Sequence, residues 1–326
     1  MLRYILKRIL SALLVLFFVS LITFVVISVI PGDRAILALG IDATEESVEA
    51  LRSSMGLDKP FLERYFSWLI SALGFDLGVS DVYGERVGSL ILSRLPVTFS
   101  LALFSMLIAS VLSALLAMLC QMKKGKGLDG AIRGGVILIS ALPSFWISLV
   151  ALIFFCGKLK WFPVNGYISP DNGFLPFLRS ITLPSIVLAL GELSLLTRMF
   201  RSSLINSFNE DYMTACRVKG LGRVRSMVHY GLRSAIIAPI TLIGNQAAKL
   251  FGGTVVVETI FSLPGIGRLL LVAVEQHDIP LLQGVVLFIT TMVVVMNFLT
   301  DIFVAIADPL IRQSEGGVKK KKKTSL

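Results

Sequence analysis

Long apolar stretches alternate with short polar ones along most of this chain. Six are long and apolar enough to cross a bilayer: about 9–30, 97–121, 135–157, 181–200, 237–257 and 282–306. About 20 residues at 1.5 Å each span a hydrocarbon layer of roughly 30 Å. Backbone polar groups inside that layer must be satisfied within their own segment, so each stretch predicts a helix. The fold class is therefore an all-α membrane protein with six transmembrane helices. The first run, Ile9 to Ile30, follows Arg3, Lys7 and Arg8 and ends at Pro31-Gly32-Asp33. It is longer than the apolar region of a secretory signal and reads as a retained first span.

Two polar stretches carry structure of their own. In 31–96, Asp42 and Thr44 are candidate helix caps, with Glu45, Glu46 and Glu49 in the first turns that follow. Pro60 is suited to open a second helix, on which Phe61, Tyr65, Trp68, Leu69 and Ala72 share one face. That helix lies on the membrane surface or packs over the spans. Gly74, Gly78, Gly84 and Gly88 then break regular structure. In 202–236, Ile205, Phe208, Tyr212, Ala215 and Val218 recur at helical spacing, and Gly220-Leu221-Gly222 ends the pattern. Val224, Met227, Val228 and Leu232 predict a second short helix. The result is a basic helix–turn–helix elbow. On periodicity alone it is either a docking element or a loop held at lipid headgroups.

Composition and charge sharpen this picture. The chain has 326 residues, of which 55% are apolar and 16% charged, against about 25% charged in soluble domains. Its net charge of +10 sits mostly in short loops, which argues for topology and against a nucleic-acid stripe. With the N-terminus inside, the inner segments hold 20 Lys and Arg and the two short outer loops hold 4. Both termini are thus expected on the cytoplasmic side. The chain divides into an N-terminus and first span (1–30), an outer stretch (31–96), a five-helix core with the elbow (97–310), and a basic tail (311–326). The tail's Lys319–Lys323 run is solvated or touches anionic lipid. Cys120, Cys156 and Cys216 lie in separate segments and form no metal or disulfide pattern.

Two charges fall near the middle of spans. Glu192 is about 17 Å from the outer end of span four, and Lys249 about 12 Å from that of span five. A charge at that depth costs at least about 3 kcal/mol and faces a partner or a watery cavity. Glu192 and Lys249 either pair structurally or line a translocation pathway to which Asn245 and Gln246 also contribute. Beyond span five, Glu258, Pro264 and Gly265 form either an outer gate or a plain structural turn. The two histidines, His229 and His277, fall on opposite sides, and no HExxH or GxSxG occurs, so a hydrolase is not expected. An ion-coupled carrier would be expected to show internal repeats and more central charges.

Glu210-Asp211-Tyr212, Thr214-Ala215-Cys216, Lys219-Gly220 and Leu232-Arg233 resemble the cytoplasmic loop motif of ATP-binding-cassette (ABC) importer permeases. The family pattern is Glu-Ala-Ala, three residues, then Gly. Thr214 and Cys216 depart from it. Further segments are similar to the branch that imports di- and oligopeptides or nickel: Met1-Leu2-Arg3-Tyr4, Met55 to Pro60, Leu95-Pro96-Val97-Thr98, Val255 to Gly267, and Asp308 to Arg312. The resemblance implies a type I importer permease fold and no catalysis or cofactor in this chain. It implies a second permease, two cytoplasmic ATPase subunits that bind ATP and magnesium, and an extracytoplasmic binding protein. The chain lacks the GxxxxGK[ST] loop an ATPase needs. Coupling would fall to Glu210, Asp211, Tyr212, Thr214, Ala215, Cys216, Arg217, Lys219, Gly220 and Arg223. Peptides are the leading substrate class; nickel or a metal chelate is the alternative.

Overall fold

The computed structural model describes residues 2–29, 44–54, 56, 58–122 and 127–307. Pro31-Gly32-Asp33, Asp42, Met55, Leu57 and the end from Asp308, with its lysine run, lie outside the described residues. The helices are α1 (Leu2–Val29), α2 (Glu45–Ser54), α3 (Phe61–Leu73), α4 (Val87–Met122), α5 (Gly127–Ala141) and α6 (Ser144–Ala151), which continues as a π-helical turn, Leu152–Lys158. Next come α7 (Phe174–Phe208) and α8 (Asp211–Val218). The segment α9 joins Arg223–Ser226, a π turn Met227–Gly231 and Leu232–Ala235. The last four are α10 (Ile237–Gly253), α11 (Val255–Ile260), α12 (Ile266–Glu275) and α13 (Ile279–Ala307). Among the described residues the one strand-like pairing is the Val79–Arg86 bridge.

Four helices, α1, α4, α7 and α13, are long and apolar enough to cross a membrane, and two bent pairs bring the total to six. The expected span 135–157 is one of those pairs: α5 and α6 meet at 95°. Pro143, at φ −61° and ψ 137°, opens α6 without an N–H to continue α5. The expected span five corresponds to α10, which is bent by 57° against α9 and reaches span length only together with it. Span two starts ten residues before its expected beginning at Val97, because α4 runs through Pro96 from Val87.

Helices α4 and α7 run parallel. Phe104 stacks edge-on with Phe177, Ser113 Oγ reaches the Leu193 carbonyl, and Ala117 packs with Phe200 and Leu204, so the partners advance together. A parallel pair needs a return crossing between its members, and α5–α6 supplies it. Asp129 near the start of α5 meets Arg201 near the end of α7. Ser140 bonds the Leu190 carbonyl and the Ser194 N–H at mid-height, and α6 packs against α11 at the other end. The main apolar core fills the space between α4, α6, α7, α10 and α11. A second core joins the start of α4 to α12 and α13.

Helix α3 packs against α1 through the apolar face the sequence predicts. Buried Tyr65 bonds Ser20 of α1 at 2.9 Å, and Phe24 meets the rings of Phe61, Tyr65 and Trp68. Thr44 caps α2 by accepting the Ser47 N–H. Arg8 of α1 pairs with Asp301 of α13 at 3.1 Å.

Two buried carboxylates tie down the end away from α8. Asp278 caps α13 by accepting the Leu281 N–H, and it also accepts from the Ser80 hydroxyl and the Val82 N–H. Glu258 of α11, fully buried, accepts from Thr98 Oγ1 (2.7 Å), Thr254 Oγ1 (2.8 Å) and the Arg268 N–H (2.9 Å). Thr98 in turn accepts the Ile266 N–H at 2.8 Å. The N-terminus of α12 is thus capped from α11 and α4, which suits its partial positive charge. The Pro264-Gly265 turn wraps this carboxylate: a Cβ at Gly265 would lie 2.3 Å from Glu258 Cδ.

Two stability effects follow, both read by thermal unfolding in detergent. Thr98→Val strands the Ile266 N–H and removes one donor from Glu258, which costs about 2 kcal/mol. Ser100→Ala, at a half-buried hydroxyl on the same helix whose bond goes to the Pro96 carbonyl one turn back, stays within about 0.5 kcal/mol. Equal midpoints for the two would contradict the Glu258 knot. Gly244→Ala forces α10 off α13, because its Cβ would sit 2.2 Å from Thr300 Oγ1 and 2.8 Å from Thr300 Cβ. Overpacking of this kind costs about 2 kcal/mol, and a variant that melts with the parent would contradict the contact.

Candidate functional site

The elbow emerges directly from α7. That helix ends at Phe208, Asn209 and Glu210 form a two-residue joint, and α8 begins at Asp211. This break corrects the expected single amphipathic helix. Residues 205–218 straddle two helices and no longer share one face. The buried residues of α8 are Met213 and Cys216, while Tyr212, Thr214, Ala215 and Val218 are exposed, Val218 at 84%. Gly220, at φ 75°, then turns the chain. The Leu221 N–H reaches back to the Cys216 carbonyl at 3.1 Å, which is the bond that closes a glycine-terminated helix end. Glu210, Asp211, Lys219 and Arg225 are exposed. The side chains of Arg217 and Arg223 lie outside the described residues.

Helix α9 folds back on α7. Met227 and Gly231 are buried, and Ser207 Oγ donates to the Gly231 carbonyl at 3.1 Å. The same Ser207 hydroxyl meets the Tyr212 hydroxyl. Ala235 joins Phe200 and Leu204 in a small core under the elbow. Val224, Val228 and Tyr230 remain exposed on the outside of the turn. The expectation of a second short helix through Val224, Met227, Val228 and Leu232 is met, with a π turn inside it.

Just above the elbow, buried Asp129 draws in Arg201 Nη2 at 3.2 Å and lies 3.4 Å from Arg133 Nε. The ion pair joins α5 to α7. In the sequence these arginines read only as loop charges that set orientation. An acidic residue inside a basic inner loop was the available signal.

Halfway along α7, Glu192 accepts from Gln246 Nε2 of α10. Gln246 is buried and Glu192 half-buried. Among the described residues no ion pair joins Glu192 to Lys249. Lys249 lies one turn beyond Gln246 and is exposed, as is Asn245 one turn before it on the same helix face. The structure therefore brings Glu192 and Gln246 together and leaves Asn245 and Lys249 uncovered. At the far end, Glu258, Pro264 and Gly265 form the knot described above. Thr98 and Thr254 complete it, and neither had been singled out for that role.

The chain matches the family described as "Binding-protein-dependent transport system inner membrane component" over residues 109–313 and that family's N-terminal region over residues 1–102. A Brucella abortus (strain 2308) protein named as a peptide transport system permease is 37% identical over 308 residues, covering 94% of this chain and 98% of that one. The di/tripeptide transport system permease protein DppB of Pseudomonas aeruginosa (strain UCBPP-PA14) is 33% identical over 334 residues, with 96% and 99% covered. A solved amino acid ABC transporter shares 16% identity at a TM-score of 0.46, over 67% of this chain and 94% of that one. Matched over nearly its whole length, the chain belongs to the binding-protein-dependent transport system inner membrane components, a family of membrane permease subunits.

Proposed function

We propose that this chain is the permease subunit of an ATP-driven importer of di- or oligopeptides and forms one half of its translocation pathway. The full complex would hold a second permease, two ATPase subunits carrying ATP and magnesium, and an extracytoplasmic binding protein. Relatives named for peptides, at 37% and 33% identity over almost the full chain, support the substrate class.

One observation carries the pathway reading. Asn245 and Lys249 are exposed on α10 at membrane depth, beside the Glu192–Gln246 pair. A lysine facing lipid there would cost at least about 3 kcal/mol, so this stripe faces water or a partner subunit. A peptide carries an amine, a carboxylate and amide groups, and a line of Glu192, Gln246, Asn245 and Lys249 offers partners for each.

The elbow lies on the cytoplasmic side in this reading, as the inner excess of Lys and Arg supports. Its exposed Tyr212, Val218, Val224, Val228 and Tyr230, with the exposed Lys219 and Arg225, form the seat for an ATPase. The Glu258 knot on the opposite side holds the outer gate, next to which the binding protein docks.

Thiol labelling in intact membranes tests the pathway. A charged, membrane-impermeant reagent is expected to label Asn245→Cys and Lys249→Cys, and Leu107→Cys, exposed on the apolar surface of α4, to label about tenfold more slowly. The native cysteines are all buried and give a low background. Equal rates at the three positions would contradict the pathway assignment.

A further inference from the structure

Two residues, Asn209 and Glu210, separate α7 from α8. A joint that short could act as a free hinge. Motion of the elbow would then be absorbed there and never reach the span. What bridges the joint is a chain of hydroxyls. Ser207 donates to the Gly231 carbonyl, so its one proton is committed. The Tyr212 hydroxyl must then donate to Ser207 Oγ. Tyr212 lies on α8, Ser207 on α7 and Gly231 at the end of the π turn in α9. One buried oxygen therefore meets all three helices.

The surroundings favour this contact. Gly231 lets α9 approach closely, since a Cβ there would lie 3.1 Å from the Phe208 ring. The π turn Met227–Gly231 adds a residue to the helix where Ser207 meets it, and such turns recur at functional sites. The elbow also buries Met213, Cys216 and Met227, and Ala235 of α9 packs with Phe200 and Leu204 of α7; such apolar contacts hold the pieces together. They are non-directional, whereas hydrogen bonds fix orientation.

We propose that Ser207 is the positioning residue that makes α7, α8 and the π turn of α9 one rigid lever, with Tyr212 and the Gly231 carbonyl as its two fixed points. This rests on reading the elbow as the ATPase seat. Ser207 touches neither nucleotide nor substrate. It sets the angle at which elbow motion is delivered to α7, and so to Glu192 halfway along that helix.

The test uses the complex purified through this chain, with Asn245→Cys as reporter and a charged thiol reagent as probe. A chain without the reporter cysteine supplies the background. Nucleotide is expected to change the labelling rate at Asn245→Cys by about tenfold, a size ordinary for coupling between distant sites. In Ser207→Ala the change falls below about twofold although the complex still assembles and ATP is still hydrolysed. Tyr212→Phe gives the same loss, and the double variant loses no more than either single one, because both hydroxyls belong to one chain. A full nucleotide response in Ser207→Ala, or additive losses in the double variant, overturns the proposal. Absence of an ATPase or of any nucleotide response in the parent complex overturns the underlying reading of the elbow, and this one with it.

Discussion

A carboxylate in or near a bilayer must find donors or cations of its own, because lipid supplies none. The acidic residues within the helical core show how this chain meets that demand. Glu258 takes two threonine hydroxyls and a helix N-terminal N–H. Asp278 takes a serine, a loop N–H and the first turn of α13. Asp129 takes Arg201, and Asp301 takes Arg8. Each of these carboxylates has at least one partner on an element distant in sequence (Thr98, Ser80, Arg201 and Arg8), so satisfying the charge also fixes the topology. Glu258 joins α4, α11 and α12, and Asp129 joins α5 and α7. Glu192, which takes Gln246, is the one set beside an uncovered polar stripe at mid-depth.

Helix α7 links the parts that a transport subunit must connect. Its 35 residues reach about 52 Å, more than the hydrocarbon thickness. It leaves the far end near α11, carries Glu192 past α10, receives Asp129 near its base and ends in the elbow. A displacement of the elbow therefore has a stiff route to mid-membrane, as long as the Asn209–Glu210 joint does not give. The buried contacts on both sides of that joint are where such stiffness would come from. Pro184 sits inside α7 without ending it.

The helical membrane class, the approximate spans, the face of α3 and the glycine turn after α8 were legible in the sequence. Each depends on local pattern: hydropathy over about 20 residues, or one glycine at a helix end. What was not legible depends on direction or on distant partners. Pro143 bends its span by 95°, whereas Pro96 and Pro184 lie inside continuous helices, so a proline alone does not announce a break. The elbow's periodicity misled because it ran across a joint, which turned Val218 outward and Met213 inward. Depth pointed to Lys249 as the partner of Glu192, whereas Glu192 takes Gln246 one turn earlier on the same helix, a choice of side that depth alone does not carry. Thr98 and Glu258 are 160 residues apart, and a pair of that kind carries no signal in a single sequence.

The most direct measurement is uptake of radiolabelled di- and oligopeptides by proteoliposomes that hold the complex purified through this chain, with its binding protein added. The account predicts that uptake requires ATP hydrolysis and the copurified ATPase and binding protein, and that ADP does not replace ATP. Uptake by the chain alone, independent of nucleotide and following an ion gradient, would contradict it.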